Sequence, residues 1–197
     1  MSLQPAPVRA LLEPLRRWRW WRRRHQLARI RLVVLDVDGV LTDGGLWHGP
    51  EGELFKRFDV RDGLGIRLLQ QAGVEVAFLS GGRGGATETR ARHLGIRHCL
   101  VGAGDKPAAL EGLLAATGIT SEAMAFVGDD INDLAVRRQT GLLVATADAA
   151  AALRQRADLV LARPGGQGAV RELAEALLKR TPLWGELTRQ GWRDRND

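Results

Sequence analysis

Residues 31–44 read Arg31-Leu32-Val33-Val34-Leu35-Asp36-Val37-Asp38-Gly39-Val40-Leu41-Thr42-Asp43-Gly44. Leu32 to Leu35 is a short apolar run, the pattern of a strand buried on both faces of a parallel sheet. The run ends in Asp36 and Asp38, and side chains at i and i+2 of an extended segment share a side. Two carboxylates therefore converge just past the carboxyl end of a strand, where open α/β sheets hold their ligands. Gly39 allows the sharp turn that follows. Packing does not call for two acids here, because buried carboxylates are costly unless paired or metal-bound. The competing reading is an acid that only caps the helix after the strand.

Outward from this stretch the chain alternates strand and helix. Gly45 to Asp59 comes first, with Leu46 and His48, then Leu54 and Phe58, flanking the turn signal Gly49-Pro50-Glu51-Gly52. It reads as a β-hairpin, too short to be a folded lid domain. A surface position suits His48 better than a role as ligand or base. The pattern then predicts a helix over Leu64–Ala72, a strand over Val74–Leu79 ending at Ser80-Gly81-Gly82, and a helix over Ala86–Leu94. A short strand at Cys99–Val101 and a helix from Lys106 to Leu114 follow. Next come a strand over Ala123–Val127 ending at Gly128-Asp129-Asp130, and a helix to about Arg138 capped by Asp130 or Asn132. Strands at Gly141–Ala145 and Asp158–Leu161 and a helix at Gly168–Leu178 complete the pattern. This alternation predicts an α/β fold: a doubly wound parallel sheet with right-handed crossovers.

Composition sets the outer bounds. A chain of 197 residues with 45% hydrophobic and 26% charged residues suits one globular domain with a full core. The lone cysteine, Cys99, rules out an intrachain disulfide and fits a reducing, cytoplasmic setting. No run approaches the ~20 apolar residues needed to span a bilayer. The net charge of +6 is unevenly spread: residues 1–31 hold nine arginines against the single acid Glu13, so the remainder is slightly negative. The expected division is a basic leader at 1–26, a main domain at 27–180 and a polar tail at 181–197.

The leader mixes arginines with Trp18, Trp20 and Trp21. One reading is contact with an anionic membrane surface or with a nucleic acid. The favoured one is a leader helix whose rings cover apolar surface of the body or of a second subunit, with no nucleic acid expected. A secretory signal does not fit, because Asp36 and Asp38 interrupt the next apolar stretch.

Three strand ends carry chemistry: Asp36 with Asp38, Ser80, and Asp129 with Asp130 and nearby Asp133. Lys106 opens a helix on the same face. Carboxylates plus a backbone carbonyl suit a hard cation such as Mg2+, and no Cys/His cluster provides a zinc site. A cation and an ammonium beside an anionic nucleophile allow an anionic substrate to approach, as phosphoryl transfer requires. An aspartate can form an aspartyl-phosphate, and its neighbour two residues on can protonate the leaving oxygen and then activate water. Gly102-Ala103-Gly104-Asp105-Lys106 lacks the spacing of a nucleotide phosphate loop.

Asp36-Val37-Asp38-Gly39-Val40, Ser80, Lys106 and Gly128-Asp129-Asp130-Ile131-Asn132-Asp133 resemble, in order, the four motifs of haloacid-dehalogenase-superfamily phosphatases. Leu41-Thr42-Asp43-Gly44, the short hairpin, the stretch Phe58 to Arg67, and Gly165 to Glu172 narrow the resemblance. They are similar to 3-deoxy-D-manno-octulosonate 8-phosphate (Kdo 8-phosphate) phosphatases. The resemblance covers about residues 27–180. It implies a capless fold in which a neighbouring subunit of a homotetramer closes the site, and a place in cell-envelope polysaccharide synthesis. It implies Asp36 as nucleophile and Mg2+ ligand, Asp38 as acid/base with its carbonyl on the metal, and Asp129 as the third metal ligand supported by Asp130 and Asp133. Ser80 and Lys106 would hold the phosphoryl group. Asp59, Arg61, Asp62, Gly63, Arg67, Gly82 and Arg90 fall at positions of substrate contact.

Three positions depart from the family's pattern. Its Thr-Gly-Arg is Ser80-Gly81-Gly82 here, with Arg83 one place later. Its Gly-Gly-Arg-Gly is Gly165-Gly166-Gln167-Gly168, and its Asn before Val-Arg-Asp-Gly is Asp59. Each change removes positive charge or adds negative charge, which bears on the substrate and not on the chemistry. A nine-carbon keto-sugar acid phosphate is the alternative substrate. A catalytically idle phosphatase-like interaction module is the alternative of another class, and the intact acid cluster argues against it.

Overall fold

The computed structural model describes residues 14, 18–52, 54–179 and 181–191. Chain order is α1 (Arg24–Leu27), β1 (Leu32–Leu35), β2 (Trp47–His48), β3 (Leu54–Phe55), α2 (Val60–Gln71), β4 (Glu75–Leu79), α3 (Ala86–His93) and β5 (His98–Leu100). Then follow α4 (Lys106–Thr117), β6 (Met124–Gly128), a 3-10 segment (Ile131–Gln139), β7 (Leu142–Ala145), α5 (Ala151–Arg156), β8 (Leu159–Val160), α6 (Ala169–Leu178) and α7 (Pro182–Gln190).

Six strands form one sheet in the order β5-β4-β1-β6-β7-β8, all pairs parallel. The chain winds outward from β1 to β4 and β5, then returns to β6 on β1's other side and continues to β7 and β8. The winding reverses between β1 and β6, and a crevice opens at the carboxyl ends of the strands there. Leu35 lies opposite Phe78 on β4 and Val127 on β6, so Asp36, Ser80 and Asp129 leave the sheet at nearly the same level.

Both faces of the sheet are covered, which is why β1 reads as an unbroken apolar run. Val33, Leu35, Phe78, Val127 and Val144 pack with Ile66 and Leu69 of α2 and with Val170 and Leu173 of α6. Leu32, Val34, Leu79, Phe126 and Leu143 pack with Leu110 and Leu113 of α4, with Val136 and with Leu153 of α5.

The departures from the expected elements have local causes. Helix α2 starts at Val60, four residues early, because the Asp59 carboxylate caps it by accepting from the Arg61 N–H at 2.7 Å. Gly63 and Gly65 hide this turn from propensity, and Gly65 is there for packing: a Cβ would sit 2.8 Å from the Arg171 Cα of α6. Helix α5 has no side-chain cap to announce it. The expected polar tail instead contains α7, with Thr181 as N-cap, Pro182 at its first position, and Trp184 and Leu187 packed on the core.

The hairpin is present as β2 paired antiparallel with β3, Trp47 opposite Phe55. In the leader, residues 1–13 and 15–17 lie outside the described set; Trp18 to Leu27 dock on the body. Trp20 and Leu27 pack against the core, and the Arg23 guanidinium donates to the Asp158 carboxylate at 2.5 Å. Trp18 and Trp21 stay exposed, each under an arginine, Arg22 and Arg24 respectively. Among the described residues no helix is long and apolar enough to cross a membrane.

Candidate active site

Lys106 organises the site. Its Nζ donates to Asp36 Oδ2 at 2.8 Å and to Asp133 Oδ1 at 2.6 Å, and its side chain is 6% exposed. Pro107 in the first turn and the Asp105 carboxylate, which accepts from the Ala108 N–H at 3.0 Å, fix where α4 starts and hence where this ammonium sits. Asp36 Oδ1 accepts from the Val37 N–H at 2.7 Å, so the carboxylate has one rotation. Asp133 Oδ2 accepts from the Asp129 N–H at 2.9 Å and the Asp130 N–H at 3.3 Å, joining the end of β6 to the 3-10 segment that Asp130 caps.

Oxygens of Asp36, Asp129 and Asp133 lie within 4.8 Å of one another. Three acids against one lysine leave surplus negative charge. Burial, then the Asp133 charge, pushes Asp36 from 3.8 to about 6, although Lys106 opposes the shift. Burial, followed by the charges of Asp36, Asp133 and Asp130, pushes Asp129 up to about 7. Burial alone would lower Lys106, but the Asp36 and Asp133 charges reverse that and leave it raised. An all-oxygen donor set that repels its own charge fits a hard divalent cation. Gly39 makes room for it: φ is +84°, and a Cβ there would collide with the Asp129 carboxylate.

The other expected catalytic groups line the same crevice. Ser80 is 1% exposed, and its Oγ accepts from the Gly82 N–H at 3.1 Å. A Cβ on Gly82 would stand 3.2 Å from Asp38 Oδ2 and 3.3 Å from Ser80 Oγ, so Gly82 keeps the space above these groups open. Asp38 is also met by a residue that the sequence pattern does not single out. Lys56, which follows β3, donates to Asp38 Oδ2 at 2.9 Å and to Thr87 Oγ1 at 3.3 Å. A lysine eighteen residues from its partner leaves no signal in spacing; only the hairpin's fold brings it back.

The residues expected to touch substrate separate into distinct settings. The Arg61 guanidinium donates to Asp59, bonding Oδ2 at 2.6 Å, and a hydrogen bond from Arg61 holds Asp59 below its usual range. Arg90 lies over the Phe58 ring, and its Nη2 occupies the space a Cβ on Gly63 would need. Burial, then the Arg67 charge, lowers Arg90. Asp62 points elsewhere: it is 1% exposed, and its carboxylate accepts from the Gly168 N–H at 3.1 Å and the Arg171 N–H at 3.0 Å. These bonds tie α2 to the start of α6. Burial pushes the Asp62 carboxyl up, against the pull of those two N–H bonds. Arg67 donates to the His93 carbonyl at 3.2 Å and lines a groove of about 740 Å³ with Gln70, Leu183 and Leu187. None of Asp36, Asp38, Asp129 and Asp133 lines that groove.

The segment 165–172 backs the loop that follows β1. The Gly166 N–H donates to the Val40 carbonyl at 2.9 Å, and Gly165 lies against the Gly39 carbonyl so closely that no Cβ fits.

Known proteins resemble this chain in sequence and fold. Residues 53–141 match the model of haloacid dehalogenase-like hydrolases. The 3-deoxy-D-manno-octulosonate 8-phosphate phosphatase KdsC of Yersinia pestis is 45% identical over 151 residues, covering 77% of this chain and 81% of that protein. The crystal structure of a Y. pestis 3-deoxy-D-manno-octulosonate 8-phosphate phosphatase superposes with a TM-score of 0.77 at 44% identity, over 79% of this chain and 84% of that one. The Moraxella catarrhalis phosphatase of the same description, solved in complex with magnesium ion, phosphate ion and a KDO molecule, gives a TM-score of 0.80. Its identity is 35%, over 84% of this chain and 95% of that one. On this likeness in sequence and fold, the chain belongs to the 3-deoxy-D-manno-octulosonate 8-phosphate phosphatase family of haloacid dehalogenase-like hydrolases.

Proposed function

We propose that this chain hydrolyses Kdo 8-phosphate to Kdo and phosphate, with Asp36 as nucleophile. The observation that carries this is the cluster of Asp36, Asp129 and Asp133 around Lys106 at the ends of neighbouring strands β1 and β6. Asp36, Asp129 and the Asp38 backbone carbonyl would hold Mg2+, with Asp133 fixing the Asp129 loop. Bound there, the ion would neutralise the phosphoryl oxygens and the carboxylate they approach.

The chain's own groups account for the rest. Lys106 holds Asp36 Oδ2 and fixes the attacking carboxylate, whose burial leaves it poorly solvated. As Asp36 bonds to phosphorus, the bond from phosphorus to the sugar oxygen breaks, and Asp38 gives that oxygen a proton. Asp38, now ionised, takes a proton from the water that cleaves the aspartyl-phosphate. Ser80 Oγ and Lys106 Nζ line the space for the transferring group.

The hairpin carries exposed Trp47 and Phe55, 69% and 60% accessible. This supports a homotetramer whose hairpins pack together and in which a neighbour closes each site. Sedimentation should show a tetramer for the native chain and smaller species when Trp47 and Phe55 are both changed to Ser. The lone cysteine, which leaves no intrachain disulfide possible, supports a cytoplasmic location.

Gly82 favours a second reading of the substrate. With no side chain over Asp38 and Ser80, the pocket has room and less positive charge, which would admit a nine-carbon keto-sugar acid phosphate. Phosphate release from a panel of sugar phosphates tests both. Preference for Kdo 8-phosphate supports the first reading, preference for the nine-carbon ester the second, and no release from any ester refutes both.

A further inference from the structure

Lys56 is set apart by burial and geometry. It lies just past the hairpin, yet its side chain is 1% exposed, against 33% for Asp38. Its Nζ stands 2.8 Å from Asp38 Oδ1 and 2.9 Å from Oδ2, but only Oδ2 lies in a hydrogen-bonding direction. Asp38 Oδ1 is buried and has no hydrogen-bond partner among the described residues. The same ammonium donates to Thr87 Oγ1 in the first turn of α3, and Thr87 is fully buried. Lys56 thus ties three segments together: the hairpin, the catalytic loop after β1 and the start of α3.

We propose that Lys56 is a positioning residue for proton transfer by Asp38: its ammonium, lying against both carboxylate oxygens, fixes the rotation of the carboxyl group. This rests on the reading of Asp38 as acid/base in a phosphomonoesterase. A carboxyl group free to rotate about its Cβ–Cγ bond would present either oxygen at varying angles, and misplacement of an acid by a fraction of an ångström is costly in rate. Anchoring by one buried ammonium, itself held by Thr87, removes that freedom. Arg57, the next residue, lies 3.7 Å from Asp43, so the hairpin grips the catalytic loop at two points. A neighbouring subunit pressing on the hairpin would reach the acid through Lys56.

The competing possibilities are that Lys56 only glues the hairpin down, or that it grips the substrate phosphate. Leaving-group dependence separates them. A sugar alkoxide departs only if protonated, whereas nitrophenolate departs readily as the anion. Lys56→Met would be compared with the native enzyme, both with Mg2+, on Kdo 8-phosphate and on p-nitrophenyl phosphate. The first turnover would be followed by rapid quench for the sugar ester and by the nitrophenolate burst for the aryl ester. Positioning predicts a loss of about 10- to 100-fold in the sugar-phosphate step. It also predicts a burst rate within about threefold of native, since no leaving-group proton is needed there, and an unchanged inhibition constant for inorganic phosphate. Equal losses on both esters, or a weakened phosphate inhibition constant, would overturn the assignment, as would no loss on either ester. Thr87→Val, which removes the second anchor but not the ammonium, should give the same selectivity at smaller size; its absence would also count against the proposal. If the native enzyme releases phosphate from neither ester, the function reading has failed, not the role of Lys56 within it.

Discussion

Removing the ammonium of Lys106 tests the electrostatics of the site without reference to substrate. In Lys106→Met a side chain of similar length stays apolar, while Asp36 and Asp133 lose a partner at 2.8 and 2.6 Å. Both acids are nearly inaccessible, at 7% and 0% side-chain exposure, so water cannot take the lysine's place. Breaking a buried pair from one side costs roughly 3–5 kcal/mol. In a chain of this size that corresponds to a fall in melting temperature of about 10 °C. The cost should depend on pH, and its sign follows from Asp36. Its folded-state value of about 6 exceeds the ordinary 3.8, so the folded protein holds the extra proton. The stability that Asp36 contributes is greatest below the ordinary value and declines as pH rises through about 6. Without Lys106 the folded state has more reason to keep that proton, so protonation relieves the variant more than the native chain. Thermal unfolding in chelator should show the full deficit at about pH 8 and less than about half of it at about pH 5. Equal deficits at the two pH values, or a deficit below about 1 kcal/mol at the higher one, would refute the picture of an overcharged acid cluster held by one lysine.

Three further outcomes follow from other contacts. Asp36→Asn should abolish turnover yet melt no lower than native in chelator, because it removes one of the crowded charges; near-normal phosphate release would sink the assigned nucleophile. Asp62→Ala should cost about 1–2 kcal/mol, the worth of a helix cap, with KM unchanged; a raised KM with undiminished stability would restore Asp62 to the substrate contacts. The melting-temperature gain from saturating Mg2+ should be larger at about pH 8 than at about pH 5.5, because protons held by Asp129, raised to about 7, compete with the ion. A gain independent of pH would place the ion away from Asp129.

How far the sequence could be read depended on whether the cause of a feature was local. The central strands were legible because burial on both faces leaves only apolar residues, as in Leu32–Leu35 and Met124–Gly128. The acids and Ser80 at their ends were legible because polar groups beside buried strands are costly unless they are paired, metal-bound or capping a helix. Helix α2 reads four residues short because Gly63 and Gly65 answer to Arg90 and α6, contacts that spacing along the chain does not reveal. Helix α7 does have a local sign, Thr181-Pro182, hidden beneath the polar composition after it. Lys56 and Asp62 were opaque for the same physical reason. Each acts across the fold, one on Asp38 and the other on the start of α6, so neither role is written next to the residue that performs it. The short hairpin is visible in the sequence, but its function as the carrier of Lys56 needed the folded chain.

The role of Asp36 as a metal-assisted nucleophile is tested most directly by phosphate release from Kdo 8-phosphate by the native chain and by Asp36→Asn, each with Mg2+ and with chelator. Release is expected only from the native chain and only with the ion present. Release that survives the chelator, or that the Asp36→Asn variant retains, would contradict that role.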